Sequence, residues 1–294
     1  MAFIALKVLV SSGLLYAVIS KAGIHKVSAT ISRIDPRSFA LASMIYILSI
    51  FVSSLRWQLL LPKGFRLRKL FSLYLIGSFF NNILPGIVGG DAIKAYYLYR
   101  DTGKSSLSIA SVFTDRYIGF AALMLLGLAA YPFGLNYFSG SYIEWVLPLI
   151  VLIFVTGSFV VFGLRIGNRF RLVSQFYDYL SFYKNQRITV LKTFFISLIL
   201  QITNICAVYI ICLGLKVDIP LLSLFIFIPI ISTLATIPIS ISGLGVREAS
   251  FVLLLGFLGV SPMHATAISF AWFLSVAVGS LPGLVEYLRY KRVA

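Results

Sequence analysis

NNILPGIVGGDAIK, from Asn81 to Lys94, is the stretch on which the reading of this chain turns. It interrupts an apolar run with two amides, a proline, three glycines and a carboxylate. Pro85 offers no backbone donor, and Gly86, Gly89 and Gly90 are weak helix formers, so a plain helix cannot run through it. In a chain this apolar, irregular backbone at membrane depth survives only where it is buried in protein or lines a wet cavity. A second stretch, IPISISGLGVRE from Ile237 to Glu248, has the same make-up: a proline, then glycines, then charge. The two broken segments are expected to form the working site, with Pro85, Gly89, Gly90, Pro238, Gly243 and Gly245 as backbone hinges.

Composition sets the surroundings of that site. Of 294 residues, 60% are hydrophobic and 12% charged, and the mean hydropathy is +0.98. A soluble domain carries roughly 25% charged residues, so the fold class is all-α, a polytopic integral membrane helical bundle. Lys and Arg number 25 against 9 acidic residues, a formal +16. The cations sit mostly in short gaps between apolar runs, as the positive-inside rule and anionic lipid headgroups require, which argues against nucleic acid as a partner. Cys206 and Cys212 lie in an apolar run as small hydrophobes, and His25 and His264 are isolated. No metal spacing and no cofactor motif is present. Phe3 to Ser20 has the length of a signal peptide, but Lys7 follows apolar residues and no A-x-A-like site precedes Lys21, so a retained helix is expected.

A span needs roughly 20 apolar residues, which predicts full-length helices at Phe3–Ala22, Phe39–Leu61, Leu107–Tyr131, Ile143–Leu164, Thr193–Leu213 and His264–Leu288. The shorter pieces Leu70–Leu84, Ala92–Tyr99, Leu221–Ile237 and Ala249–Leu258 flank the two breaks. The expected layout is a single transmembrane domain over 1–294. Residues 1–69 carry two helices, and 70–131 the first broken hairpin with the helix after it. Residues 132–218 connect, and 219–294 hold the second broken hairpin and the last helix. Arg165, Arg169, Arg171, Lys184, Arg187 and Lys192 put that loop in the cytoplasm, as Arg289, Lys291 and Arg292 do the C-terminus, in a cell-membrane protein. Lys63, Arg66, Arg68 and Lys69 before the first break, and Lys94, Arg100 and Lys104 after it, make that segment a re-entrant hairpin from inside. The second then enters from outside, the relation of an inverted repeat. His25 to Arg37 resists this scheme, being outside yet basic, and is read as an interfacial segment.

Asp115 and Arg116 lie well inside an apolar helix, where a charge costs roughly 2.5 to 3.5 kcal/mol on insertion scales. Ser108, Ser111, Asp115, Gly119 and Ala122 share one narrow stripe at 100° per residue, a face suited to tight packing. Arg116 points about 100° away, so each charge needs a partner elsewhere. Asp91 and Glu248 are the candidates for Arg116, and Arg247 for Asp115. Read structurally, these are ion pairs holding a bundle together. Read functionally, Arg116 and Arg247 present cations to an anionic headgroup while the acids balance them. Helix starts at Asp91 and Arg247 then add backbone donors. The substrate-binding set on that reading is Asn81, Asn82, Asp91, Lys94, Asp115, Arg116, Arg247 and Glu248. The stripe Ala267, Ala271, Ser275, Gly279 and Pro282 on the last helix reads as packing. No Walker loop, H-E-x-x-H or G-x-S-x-G occurs, and no enzyme activity is expected.

P-x3-G-G-D at Pro85 to Asp91, the following Lys94, and S-x6-D-R-x2-G at Ser108 to Gly119 resemble the lysylphosphatidylglycerol synthase transmembrane-region family, as does P-x4-G-x-G-x-R-E at Pro238 to Glu248 with Gly259, Val260 and Ala265 beyond it. That family includes the flippase domain of the multiple peptide resistance factor. The resemblance implies movement of an anionic or modified phospholipid, or a polyprenyl-linked lipid, between leaflets. It implies Asp91, Asp115, Arg116, Arg247 and Glu248 as functional residues. The soluble aminoacyl-transferase domain of the full-length synthases has no counterpart here, so lipid aminoacylation is not expected. Lys94 stands where the family often has arginine, keeping the charge but losing the fork. Membrane lipids are the expected partners, with a homo-oligomer or a lipid-modifying enzyme also left open. The alternative functions are an ion-coupled transporter of a small anion and a non-catalytic accessory subunit.

Overall fold

A computed structural model describes residues 2–83, 89–137, 140–164, 177, 179, 186–237, 239, 240 and 242–293. Pro85, Gly86 and Pro238 lie outside the described residues, as do Arg165, Arg169, Arg171 and Lys184 of the expected cytoplasmic loop. Every regular element among the described residues is helical. In chain order these are α1 (Ala2–Ala22), α2 (Ile24–Ile31), α3 (Pro36–Leu60), α4 (Leu67–Ile83), α5 (Gly89–Thr102) and α6 (Ser105–Gly134). They continue as α7 (Val146–Ser158), α8 (Arg187–Gly214), α9 (Leu221–Thr236), α10 (Val246–Gly256), α11 (Pro262–Ser280) and α12 (Pro282–Val293). Five helical segments have the length and hydropathy to cross a bilayer: Pro36–Leu60, Ser105–Gly134, Tyr142–Gly163, Arg187–Gly214 and Pro262–Tyr290. Each contains one of the expected spans to within a few residues. The sixth, Phe3–Ala22, is helical as α1, but its apolar part among the described residues is the shorter Leu9–Ala22.

Helix starts follow local chemistry. Asp35 accepts the Ser38 N–H at 3.0 Å and Pro36 occupies the first turn of α3, where a missing donor costs nothing. Ser261 and Pro262 open α11 in the same way. The last apolar run is not one helix as expected: α11 stops at Ser280 and α12 restarts at Pro282, because a proline ring cannot continue the preceding turn. The basic segment after α1 folds as the short α2, with Val27 buried and its other side outward. That is the amphipathic form an interfacial segment needs.

Two main apolar cores hold the bundle, with a small third cluster at Leu60 and Ile118. The larger gathers Ile205, Val208 and Ile211 of α8, Ile226, Phe227 and Ile231 of α9, Phe251 and Leu255 of α10, and Ala267, Ile268 and Ala271 of α11. The smaller joins Trp57 of α3, Leu70 and Leu73 of α4, Leu98 of α5 and Val112 of α6. α3 packs along α8 and also touches α4, α6 and α11, so it links the two halves. Small residues let helix backbones approach, as they do where lipid gives no hydrophobic drive between helices. A Cβ at Gly279 of α11 would lie 3.0 Å from the Ser43 carbonyl oxygen of α3, and one at Gly127 of α6 would lie 2.9 Å from the Pro229 ring of α9.

α4 and α5 form an antiparallel hairpin. Lys69 Nζ meets Asp101 Oδ2 at 2.7 Å at its open end. The Gly90 N–H donates to Asn81 Oδ1 at 2.9 Å at the other end. Between them Gly77 faces Gly90 so closely that a Cβ on Gly90 would fall 1.7 Å from the Gly77 carbonyl oxygen. At 1.5 Å per residue the arms are about 25 and 21 Å long, shorter than the roughly 30 Å hydrocarbon core. α9 and α10 are likewise packed together, with α10 lying on α11 and α1.

Candidate functional site

Asp91 stands in the first turn of α5 and is almost fully buried. Arg116 of α6 grips it with two donors, Nε to Oδ2 at 2.6 Å and Nη2 to Oδ1 at 3.2 Å. Lys94, one turn along α5, reaches Asp91 Oδ1 at 2.8 Å. Its ammonium lies 3.9 Å from the centre of the Tyr74 ring and 5.6 Å from that of Trp57, so an aromatic cage completes its surroundings. This geometry explains why lysine suffices here. Arg116 already takes both carboxylate oxygens, and only a point charge is needed beside one of them.

The Tyr74 hydroxyl donates to Asp115 Oδ2, which carries the network across α4 to the buried stripe of α6. On the other side of Asp115, Arg56 of α3 donates through Nε to Oδ1 at 2.8 Å. Arg56 Nη1 then donates to Ser197 Oγ of α8 at 2.7 Å. Ser108, Ser111, Asp115 and Ala122 are fully buried and Gly119 is buried too, so the stripe read from the sequence is the packed face of α6. Gly119 makes room for the guanidinium, since a Cβ there would lie 3.1 Å from Arg56 Nη1. Four helices thus share one ionic network: Arg116, Asp91, Lys94, Tyr74, Asp115 and Arg56.

The second broken segment builds a separate cluster. Glu248 is fully buried and accepts from the Gly245 N–H at 2.7 Å through Oε2. Through Oε1 it accepts from Arg247 Nη2 at 2.6 Å and from the Ser269 hydroxyl at 3.1 Å. Arg247 also lies 4.8 Å from the centre of the Phe273 ring. Gly245 has φ +84, a conformation that L side chains rarely adopt, and passes so close to α1 that a Cβ would lie 2.8 Å from the Ser11 carbonyl oxygen. Gly243 also has positive φ, at +78, and packs on Ala235 of α9.

One expected pairing changes and another is met. Asp115 pairs with Arg56 and Tyr74 rather than Arg247, whereas Arg116 takes Asp91, one of its two expected partners, and leaves Glu248 to Arg247. The reason is position: α5 lies against α4 and α6, whereas α10 lies against α9, α11 and α1. Among the described residues no hydrogen bond or ion pair joins the two clusters. The backbone donors expected to face an anion at both helix starts include two already in use, Gly90 by Asn81 and Gly245 by Glu248. Asn82 turns the other way, donating to Ser280 Oγ of α11 at 3.0 Å and to the Ser78 carbonyl at 3.2 Å. Both amides therefore tie helices together.

Sequence reasoning passed over Arg56 and Tyr74. Arg56 sits four residues before the end of α3 beside Trp57, the position of an ordinary interfacial pair. The signal that could have found it was the unmet demand of Asp115 for a cation. Tyr74 carries no charge and falls in a run of leucines and phenylalanines.

A helical bundle with several membrane-length helices, two main cores and ion clusters beside two glycine-containing breaks is a polytopic membrane protein. The chain belongs to the lysylphosphatidylglycerol synthase transmembrane-region family, whose pattern it matches over residues 4–283. It is 23% identical to a UPF0104 membrane protein of Methanocaldococcus jannaschii over 94% of this chain and 91% of that one. It is 24% identical to another from Methanothermobacter thermautotrophicus, over 92% and 88%. A third, from Pyrococcus horikoshii, is 29% identical over 39% of this chain and 36% of its own.

Proposed function

We propose that this protein is a lipid translocase of the flippase type, moving an anionic or modified phospholipid, or a polyprenyl-linked lipid, between leaflets without catalysis of its own. One observation carries the reading. Arg116 is locked on a buried carboxylate, yet its side chain is 51% exposed, about 17 Å along α6 from the start of that helix. A cation fixed in place within a membrane-length helix and still accessible can meet an anionic headgroup. Family membership supports the same reading.

On this proposal α4 and α5 form a re-entrant hairpin from the cytoplasmic side of the cell membrane, α9 and α10 form its counterpart from outside, and the C-terminus is cytoplasmic. Each second arm opens with an acid in its first turn, Asp91 or Glu248, bound to an arginine. Each also packs on the long helix that follows it. That parallel supports an inverted repeat whose halves rock to alternate access. The test is reconstitution into vesicles with labelled phospholipids and polyprenyl phosphates. Transport that collapses in Arg116→Gln while the fold holds supports the proposal. A folded protein that moves none of these lipids, with or without an ion gradient, refutes it.

A further inference from the structure

The first cluster is not electrically closed. Arg56, Lys94 and Arg116 supply three cations, and Asp91 and Asp115 supply two carboxylates. Tyr74 adds no charge as a hydroxyl donor. Among the described residues one positive charge is left over, in surroundings where an unbalanced charge is expensive. The second cluster, by contrast, pairs one arginine with one glutamate and hides the glutamate fully.

The excess charge has an address. Arg56 and Lys94 are buried, with side chains 6% and 2% exposed, while that of Arg116 is 51% exposed. Asp91 occupies the Nε and Nη2 side of the Arg116 guanidinium. A guanidinium carries five donors in a planar fork, so the edge made by Nη1 and the second Nη2 hydrogen remains for another acceptor with two oxygens. Asp91 and the α6 backbone fix the plane of that fork before any ligand arrives, which lowers the ordering cost of binding.

We infer that the outward edge of Arg116 binds one singly charged, two-oxygen anion of the phosphodiester type, and that the Arg247–Glu248 pair binds none. The lipid form of that anion rests on the translocase reading above; the charge does not. A headgroup with one net negative charge completes the cluster. A zwitterionic headgroup brings its own cation to a site that already has one too many. A phosphomonoester overshoots by up to one charge.

Binding in nanodiscs tests this, separately from transport. The purified full-length protein is titrated with phosphatidylglycerol, phosphatidylcholine and phosphatidic acid, and with dimethyl phosphate as the soluble diester. Phosphatidylglycerol is expected to bind about tenfold more tightly than phosphatidylcholine, and at least as tightly as phosphatidic acid, the scale of one charge-assisted contact. Arg116→Gln should erase the preference, and Arg247→Gln should leave the ratio as in the parent, whatever its effect on rate. Should Arg116→Gln fail to fold, Arg116→Lys keeps the charge without the fork and should retain the preference at reduced affinity.

Equal binding of phosphatidylglycerol and phosphatidylcholine overturns the inference even if lipid is transported. So does a preference that survives in Arg116→Gln, or one that vanishes in Arg247→Gln. Selective, Arg116-dependent binding without any lipid movement supports the site and overturns the translocase reading. Competition by dimethyl phosphate at the affinity of the lipid does the same, because it makes a soluble anion the ligand.

Discussion

Replacing Arg56 by methionine isolates the pair on which the first cluster leans. Arg56 is nearly buried and Asp115 wholly so, and they meet at 2.8 Å. Methionine keeps an unbranched stem of similar reach and removes the charge. Asp115 would keep only the Tyr74 hydroxyl, and Ser197 would lose the donor it receives at 2.7 Å. Two charge-assisted hydrogen bonds are worth about 1.5 to 3 kcal/mol each, and burying the methionine returns roughly 1.5 to 3 kcal/mol. Added to that is the penalty of a buried carboxylate without its cation. The net is about 3 kcal/mol or more, in line with the 3 to 5 kcal/mol typical of one-sided loss from a buried pair. At roughly 2 to 4 °C per kcal/mol for a chain of this size, the melting midpoint should fall by about 6 to 12 °C. Replacing Asp115 by leucine in the same protein removes the stranded charge and should restore most of that loss, a coupling of about 2 kcal/mol. A single variant that melts within about 2 °C of the parent, or a double variant no more stable than the single, would refute the pairing.

Gly90→Ala should weaken the hairpin severely. The new methyl would lie 1.7 Å from a backbone oxygen that cannot move alone, so a loss of about 3 kcal/mol or more is expected in thermal melts. Gly245→Ala combines a left-handed residue, costing roughly 1 to 2 kcal/mol, with a Cβ only 2.8 Å from Ser11 of α1; faster proteolysis of α1 should accompany its lower midpoint. Gly13→Ala on that helix meets nothing within 4 Å and should be neutral or slightly stabilising, which separates crowding from mere loss of glycine. At the start of α3, hydrogen bonds from the Ser38 hydroxyl and amide hold the Asp35 carboxyl below its ordinary range. A depressed carboxylate stabilises above its unfolded pKa and ceases to do so as pH falls through its folded value. The parent should therefore outlast Asp35→Ala at pH 7, and the gap should close below about pH 4; a gap that stays constant down to pH 3 would contradict the cap.

Element positions were legible because apolar length is a coarse signal that tertiary contacts do not erase. Ser105–Gly134 and Arg187–Gly214 overshoot their expected spans only at the ends, where polar residues still allow helix outside hydrocarbon. Pro282 was read from the sequence as one member of a packing stripe on a single last helix, and not as a break. Here the turn does not continue, and Gly283 packs where a Cβ would lie 2.1 Å from the Leu75 carbonyl oxygen of α4. The interruption serves the hairpin, and no single-helix reading could contain that fact.

The charge clusters were legible by residue and only in part by partner: Arg116 meets Asp91 as one of its candidates, and Asp115 does not meet Arg247. Asp91, Lys94, Asp115, Arg116, Arg247 and Glu248 were all picked out because charge inside apolar sequence demands explanation. Which cation meets which acid depends on which helices touch, and that is a property of packing order. Asp115 could be matched to Arg247 on paper because both belonged to glycine-broken or charge-bearing segments, while Arg56 looked like an interfacial residue. Once α3 is seen to cross α4, α6 and α8, Arg56 becomes the cation nearest the α6 stripe and Arg247 is left to Glu248. The exchange matters for function. Had Asp115 taken Arg247, the two broken segments would share one balanced pool of charge. With Arg56 in that place, the Glu248 cluster closes on itself and the surplus among the described residues falls to Arg116, the most exposed member of its cluster.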